Sequence, residues 1–258
     1  MDEIARYNRA RWRSLVDANA VFTRPARNLD PESARRRLDP SGRLGDVDGK
    51  RVLVLAGGGG QQSVAFALLG ATVTVLDLSD AQLSRDREAA AQLGLEIETV
   101  EGDMRDLSVF DPASFDVVSQ PYSLNFVPDC RVVFREVARV VRPRGLYAVD
   151  VATPYFVGVG ERDFDGEGYV VKLPYIQGTL LQTPDPAWVA GGRVAEPPRE
   201  YRQTLETVIN GLVDEGFRIM HLDEGLHTDP DPHATPGTWD HFNSVVPPWL
   251  TFWAVRDQ

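Results

Sequence analysis

Cysteine is almost absent from this chain of 258 residues, which contains only Cys130. One thiol excludes an intrachain disulfide and any zinc site built from several cysteines. Cys130 lies just inside a predicted helix N-terminus, where a thiol pKa can be lowered. A small residue that fills space in the core is the simpler interpretation, and we expect that role.

Positive charge is also scarce: the chain has 27 Lys and Arg but 38 Asp and Glu, so its formal net charge is −11. A surface of this sign repels the phosphates of nucleic acids and anionic lipids, so we predict neither as a partner. Arginines near the N-terminus are interpreted as a solvated helix face. Because no apolar run is long enough to span a bilayer and the first residues do not resemble a secretory signal, we expect a cytoplasmic protein. Nothing in the pattern indicates an oligomeric state.

Short apolar runs alternate with helical segments from residue 50 onward. Strands are predicted at residues 51–56, 72–78, 95–103, 115–120 and 146–152. The helices between them are predicted at residues 61–69, 79–93 and 129–140, and two more precede the first strand, at residues 3–20 and after Pro31. Ser79, with Gln82 three residues later, predicts a capping box. Strands alternating with helices of this length indicate right-handed crossovers and a parallel sheet.

The alternation ends after residue 153. Prolines and glycines concentrate in residues 154–203, which we interpret as a hairpin or an irregular cap. A helix is predicted at residues 204–215 and strands at residues 217–224 and 249–257, with a long loop between the two strands. We treat residues 1–258 as a single domain with four parts: an N-terminal helical cap (1–49), the half with the strand–helix repeats (50–153), an insertion (154–203) and a C-terminal helix with strands (204–258).

Four consecutive glycines follow the first strand, in the stretch AGGGGQQ at residues 56–62. Glycine permits positive φ and removes the Cβ atoms that would block a ligand, and the following helix start offers unpaired N–H groups. Asp77 ends the next strand at the same edge of the sheet, where a carboxylate can accept hydrogen bonds from both hydroxyls of a ribose. The stretch therefore predicts a ligand with an adenosine-like ribose, either a dinucleotide or S-adenosylmethionine.

The end of the third strand favours S-adenosylmethionine. Asp103 can accept a hydrogen bond from an adenine amine, and the N–H of Met104 can donate to a ring nitrogen. A dinucleotide fingerprint requires glycine at the first, third and sixth loop positions, but the sixth residue counted from Gly57 is Gln62. An NAD(P)-dependent oxidoreductase is therefore the weaker alternative.

In this order the motifs resemble those of the class I S-adenosylmethionine-dependent methyltransferases. The matching stretches are VLVLAGGGG, VTVLDLS, EGDMRDL and FDVVSQPYSLNFVPD. The first motif has the form GGGGQQ and follows an N-terminal RYNRARW segment, and this combination resembles a bacterial branch of the family. The resemblance implies a Rossmann-like α/β fold with a mostly parallel seven-stranded sheet, an antiparallel last strand, N-terminal helices and a cap insertion. It implies S-adenosylmethionine as cofactor, with these binding positions: Ala56, Gly57, Gly58, Gly60, Gln61, Gln62, Asp77, Leu78, Gln82, Asp103, Met104, Gln120, Tyr7 and Trp12. Val54 stands where the family usually carries an acid, and Gln61 or Gln62 is expected to supply polar contacts instead.

Methyl transfer is a direct displacement, so the protein supplies alignment and a dry pocket, and a general base only for a protonated nucleophile. Candidates for the acceptor side are Tyr122, Asn125 and His227, and we expect a small-molecule acceptor. The histidines at positions 221, 227, 233 and 241 fit no zinc spacing, so no metal site is predicted. Aromatic residues of the insertion are expected to line an acceptor pocket: Tyr155, Phe156, Tyr169, Tyr175 and Trp188. Cyclisation or rearrangement with the same cofactor, and cofactor binding without turnover, are the alternatives.

Overall fold

A computed structural model describes residues 1–156, 158–160, 163–181, 189–190, 193–194, 197–225, 228 and 230–257. Its main sheet begins with five strands: β1 (Arg51–Leu55), β2 (Thr72–Asp77), β3 (Glu98–Glu101), β4 (Phe115–Gln120) and β5 (Val141–Ala152). Helices separate all of them except β3 and β4, which a loop joins. Four short strands follow: β6 (Leu180–Leu181), β7 (Val189–Ala190), β8 (Arg193–Val194) and β9 (Glu200–Tyr201). The main sheet is completed by β10 (Phe217–Glu224) and β11 (Trp249–Arg256).

The seven main strands lie in the order β10-β11-β5-β4-β1-β2-β3. The first five strands pair in parallel, and β11 pairs antiparallel with both β5 and β10. This confirms the predicted Rossmann-like fold with an antiparallel last strand. The chain leaves β1 toward β2 and β3 and then returns to β4 and β5 on the other side. Such a reversal opens a crevice at the carboxyl ends of β1 and β4, where ligands bind in this class of fold.

The helices are α1 (Glu3–Asp17), α2 (Pro31–Leu38), α3 (Gln62–Leu68), α4 (Asp80–Leu93), α5 (Cys130–Val140), α6 (Leu205–Asp214) and α7 (Trp239–Val245). All of them except α3 begin at a polar side chain that accepts a hydrogen bond from an unpaired N–H group. Ser79 caps α4 by accepting from the N–H of Gln82, as predicted. The other half of the capping box is replaced, because the Ser79 N–H donates to Asp77 at 2.8 Å.

Apolar side chains cover both faces of the sheet. On one face Leu53, Val118 and Val149 pack in the cluster that contains the buried face of α5, including Cys130. On the other face Val52, Val54 and Trp253 pack with Phe66 of α3. Cys130 is fully buried, and this burial raises the pKa of its thiol to about 12, so it fills space as expected.

Three elements differ from the sequence expectations. The long predicted loop after β10 contains α7, whose Phe242 is fully buried. β5 begins directly after α5, so residues 142–145 belong to the strand, with a register shift in its pairing and a positive φ at Arg144. In the insertion, residues 168–175 make only one isolated bridge, between Phe164 and Tyr169, and the short pairs are β6 with β9 and β7 with β8. No helix in the described part of the chain is both long and apolar enough to cross a membrane.

Candidate active site

One cavity of about 720 Å³ opens at the carboxyl ends of the parallel strands. This volume lies within the usual range for small-molecule sites. We call its two parts the loop end and the aromatic end. The loop end is lined by Ala56, Gly57, Gly58, Gln62, Asp77, Leu78, Gln82, Asp103, Met104 and Arg105. The aromatic end is lined by Tyr122, Phe126, Phe156, Trp239 and Trp249, with the carboxylates of Asp150 and Glu200.

The glycine loop brings the backbone to the cavity wall. The N–H of Gly58 donates to Asp77 Oδ2 at 2.9 Å. A Cβ on Gly58 would lie 2.9 Å from that oxygen and 2.7 Å from the Cβ of Gln82, and one on Gly57 would lie 2.7 Å from the Pro121 ring. Both positions therefore require glycine because of close approach.

Asp77 is a buried carboxylate at the cavity wall, as its place at the end of β2 predicted. It accepts hydrogen bonds from the backbone N–H groups of Gly58 and Ser79. Burial raises the pKa of Asp77 to about 6, although both hydrogen bonds favour the charged form. A carboxylate has about four lone-pair positions, so it can also accept hydrogen bonds from a ligand.

A second buried acid, Asp86 of α4, orders the rest of the loop and was not predicted. It accepts hydrogen bonds from the N–H groups of Gly59 and Gly60, at 2.8 and 2.9 Å, and from the hydroxyl of Ser63. Burial raises the pKa of Asp86 to about 7. The sequence pattern that could have predicted its burial is the spacing, because Asp86 lies three residues after Leu83 and three before Ala89, on the apolar face of α4.

Gly60 lies beside α4 and does not line the cavity. A Cβ there would lie 2.9 Å from Ala89, from the carbonyl of Arg85 and from Pro25. The structure therefore assigns this predicted cofactor position to close packing between the loop and α4, and the contact to the ligand space comes from Gly57 and Gly58.

Asp103 and Met104 both line the loop end, as predicted. Asp103 forms an ion pair with Arg105, which also pairs with Asp2 at the N-cap of α1 at 2.7 Å. This bridge lowers the pKa of Asp2 and ties α1 to the loop after β3. Next to this end, the Oε1 atom of Gln82 is buried and has no hydrogen-bond partner among the described residues.

The N-terminal helix contributes Trp12 to the cavity wall, but Tyr7 lies outside it. The Tyr7 hydroxyl donates to the carbonyl of Pro197 at 3.4 Å, and the Arg199 guanidinium lies 4.5 Å from the Tyr7 ring centre. Tyr7 therefore packs α1 against the segment before β9. Ile4, Ala5 and Asn8 line the cavity together with Trp12.

The two glutamines after the glycines have different surroundings. Gln61 borders the cavity, but its amide donates to the carbonyls of Phe22 at 2.9 Å and Arg24 at 3.1 Å and so holds the N-terminal segment. Gln62 lines the cavity at the start of α3. Val54 is fully buried in the apolar cluster and supplies no polar contact.

Gln120 and Asn125 point into the protein and are absent from the main cavity wall. The Gln120 amide accepts a short hydrogen bond from the Tyr147 hydroxyl and donates to Ser123. Asn125 accepts from the N–H of Ala152 at 3.1 Å and donates to the carbonyl of Tyr201 at 3.2 Å. Asn125 therefore joins β5 to β9, and its side chain does not line the main cavity.

Tyr122 lines the aromatic end, and its hydroxyl lies 3.1 Å from Glu200 Oε1. Its ring centre lies 4.9 Å from that of Trp249, which lies 5.0 Å from that of Phe156.

Of the five predicted cap aromatics, Phe156 lines the cavity and Tyr155 and Tyr175 are exposed. Tyr169 instead hydrogen-bonds to His241, and Trp188 lies outside the described residues. Trp239 and Trp249 complete the aromatic end and were not predicted, because they come from distant parts of the sequence.

The structure offers no metal site in the part of the chain that it describes: no group of three or more His, Cys, Asp or Glu side chains is placed to hold an ion there. His227, the third candidate for the acceptor side, lies outside the described residues.

Comparison with known proteins agrees with this geometry. The family model for a methyltransferase domain matches residues 53–149. The chain is 32% identical over 231 residues to the uncharacterized methyltransferase YbaJ of Bacillus subtilis. This alignment covers 84% of the chain and 88% of YbaJ. It is 38% identical over 100 residues to the ubiquinone biosynthesis O-methyltransferase of Pseudomonas syringae, covering 39% of this chain and 43% of that protein.

A solved S-adenosylmethionine-dependent methyltransferase from Mesorhizobium loti superposes with a TM-score of 0.65 at 25% identity, over 88% of this chain and 98% of that one. The match therefore extends well beyond the motif-bearing half of the chain. The chain belongs to the class I S-adenosylmethionine-dependent methyltransferases.

Proposed function

We propose that this S-adenosylmethionine-dependent methyltransferase acts on a small-molecule acceptor held at the aromatic end of the cavity. The observation that carries the proposal is a single cavity with two unlike parts. One part is built from glycine backbone and carboxylates, and the other from aromatic side chains. A cofactor and an acceptor bound side by side in it would meet without an intervening wall.

The loop end fits the adenosyl part of the cofactor. Asp77 would accept hydrogen bonds from the ribose hydroxyls, and Gly57 and Gly58 leave room for the ligand beside it. Asp103 and the backbone of Met104 would contact the adenine, with Arg105 holding Asp103 in place.

At the aromatic end, the tilted and edge-to-face rings would hold a flat or apolar acceptor and exclude water. The bound cofactor supplies an electrophilic methyl group, so the chain must align the acceptor and, where the acceptor atom is protonated, accept its proton. Glu200, beside the Tyr122 hydroxyl, is placed to accept a proton from an acceptor hydroxyl or amine. The partial match to ubiquinone biosynthesis O-methyltransferases also supports a small-molecule acceptor.

Cofactor binding should weaken in acid. The carboxylate form of Asp77 accepts hydrogen bonds from the ribose, and its pKa in the free protein is about 6. Affinity for S-adenosylhomocysteine should therefore be constant above about pH 8 and fall by at least about tenfold at pH 5, one unit below the pKa of Asp77. Protonation of Asp86 acts in the same direction because it loosens the loop. Calorimetric titrations at pH 8 and pH 5 check this, and equal or tighter binding at pH 5 would contradict the role of Asp77.

A radiolabelled methyl donor tests the acceptor class. We expect label from S-adenosylmethionine to enter an ultrafiltered small-molecule extract. Trp239→Ala should reduce that transfer about tenfold or more. Because Trp239 is 43% exposed, its removal should cost little stability and leave S-adenosylhomocysteine affinity within about threefold. Label that enters only the protein or nucleic acid fractions would contradict a small-molecule acceptor.

A further inference from the structure

Asp150 is a carboxylate in the cavity that neither the ribose nor the adenine contacts use. It lies near the end of β5 and lines both the main cavity and a side cavity of about 40 Å³. Gln62 and Pro121 border the same two spaces. Asp150 is thus placed where the loop end meets the aromatic end.

The surroundings of Asp150 compensate its charge poorly. The hydroxyl of Thr251 on β11 donates to Asp150 Oδ1 at 2.7 Å. Burial raises the pKa of Asp150 to about 6, and that hydrogen bond opposes the shift. The polar and charged groups that border the side cavity with it are Arg37 of α2, Gln62 of α3, Ser119 and Gln120 of β4, and Thr251 and Trp253 of β11. Among the described residues, no cationic side chain lies within ion-pair distance of its carboxylate. Asp150 is partly exposed to the cavity, and with one hydroxyl donor its carboxylate keeps lone pairs that a donor on a ligand can fill.

The sheet order shows which part of the cofactor reaches Asp150. Asp103 follows β3 and Asp77 ends β2, whereas Asp150 lies on β5, beyond β1 and β4. If the adenine lies toward β3 and the ribose at β2, the rest of the cofactor extends toward β4 and β5. That remaining part is an amino acid with an ammonium group.

We propose that Asp150 accepts a hydrogen bond from the ammonium group of the cofactor's amino-acid tail. The inference depends on the proposed position of the adenosyl group at the loop end. It makes Asp150 a binding residue that fixes the direction of the tail and so orients the sulfur toward the aromatic end. A charge-assisted hydrogen bond of this kind contributes about ten- to one-hundredfold in affinity.

A pair of ligands isolates this contact. S-adenosylhomocysteine carries the amino-acid tail, and 5′-methylthioadenosine has the same adenosyl group and sulfur without it. Asp150→Asn keeps an oxygen that can accept from Thr251 but removes the charge. In calorimetric titrations at pH 8, it should weaken S-adenosylhomocysteine about ten- to one-hundredfold and leave 5′-methylthioadenosine within about twofold. Asp150→Ser should show the same selective loss if the amide variant does not fold.

Thr251→Val is the matched control, because it removes the neighbouring hydroxyl and keeps the carboxylate. Its ratio of the two affinities should stay within about threefold of the wild-type ratio. Equal losses for both ligands in Asp150→Asn, or no loss for either, would overturn the inference. If wild-type protein binds neither ligand, the proposed adenosyl position is itself wrong. If wild-type binds both and Asp150→Asn does not discriminate, only the role of Asp150 is wrong.

Discussion

Asp77→Asn should weaken the binding of S-adenosylhomocysteine by at least 100-fold. The carboxylate is proposed to accept hydrogen bonds from two ribose hydroxyls, and hydrogen bonds to a charged group contribute about 1.5–3 kcal/mol each. An amide in its place has one acceptor oxygen, which the N–H of Gly58 or Ser79 will occupy. The amide nitrogen, which is itself a donor, would then face the ribose hydroxyls and could not accept hydrogen bonds from them. Calorimetry at pH 8, where wild-type Asp77 is ionised, measures the loss directly.

The fold should tolerate this change. At pH 8 the buried charge of Asp77 is unfavourable, as its raised pKa shows, and the neutral amide removes that cost. It also loses one of two hydrogen bonds to the backbone, so we expect the free energy of unfolding to change by no more than about 1–2 kcal/mol. Asp80→Asn is the control, because it makes the same change at a half-exposed acid three residues later, outside the cavity wall. If Asp77→Asn binds as tightly as Asp80→Asn, Asp77 does not hold the ribose.

Asp86→Ala should give the largest loss of stability among the site variants. It leaves the N–H groups of Gly59 and Gly60 and the hydroxyl of Ser63 buried without their acceptor. Each unsatisfied group costs about 1–3 kcal/mol, and the removal of a buried charge offsets part of the sum. We expect a net loss of about 2–4 kcal/mol in urea unfolding at pH 8. S-adenosylhomocysteine affinity should fall as well, because the loop loses its support.

Glu88→Ala, two residues along the same helix, is the matched control. Glu88 is exposed and forms a surface ion pair with Arg85, so its removal should cost less than about 1 kcal/mol. An Asp86→Ala protein as stable as Glu88→Ala would show that the buried carboxylate does not order the glycine loop.

The parallel strands and the strand-end acids were predictable because they depend on local pattern. β1 is an apolar run followed by glycines, and β2 is a run of Val, Thr and Leu that ends in an acid. The positions of Asp77 and Asp103 follow from their places at strand ends. The parallel arrangement of the strands is then enough to bring those ends to one edge of the sheet.

Other parts of the site depend on packing that no local pattern displays. In the sequence Asp86 resembles a surface acid of α4, and its burial becomes visible only when the helix packs against the glycine loop. Trp249 reaches the cavity because β11 pairs antiparallel beside β5, and Trp239 comes from a short helix among prolines. Asn125 reads as a polar loop residue but satisfies backbone groups of Ala152 and Tyr201 instead.

A crystal structure of the complex with S-adenosylhomocysteine is the most direct measurement of where the cofactor binds. We expect the Asp77 carboxylate to lie within hydrogen-bond distance of both ribose hydroxyls. The adenine should lie beside Asp103 and Met104, and the sulfur should face the aromatic end. A ligand bound elsewhere, or a ribose that makes no contact with Asp77, would contradict the central claim that the glycine loop and the strand-end acids form the cofactor site.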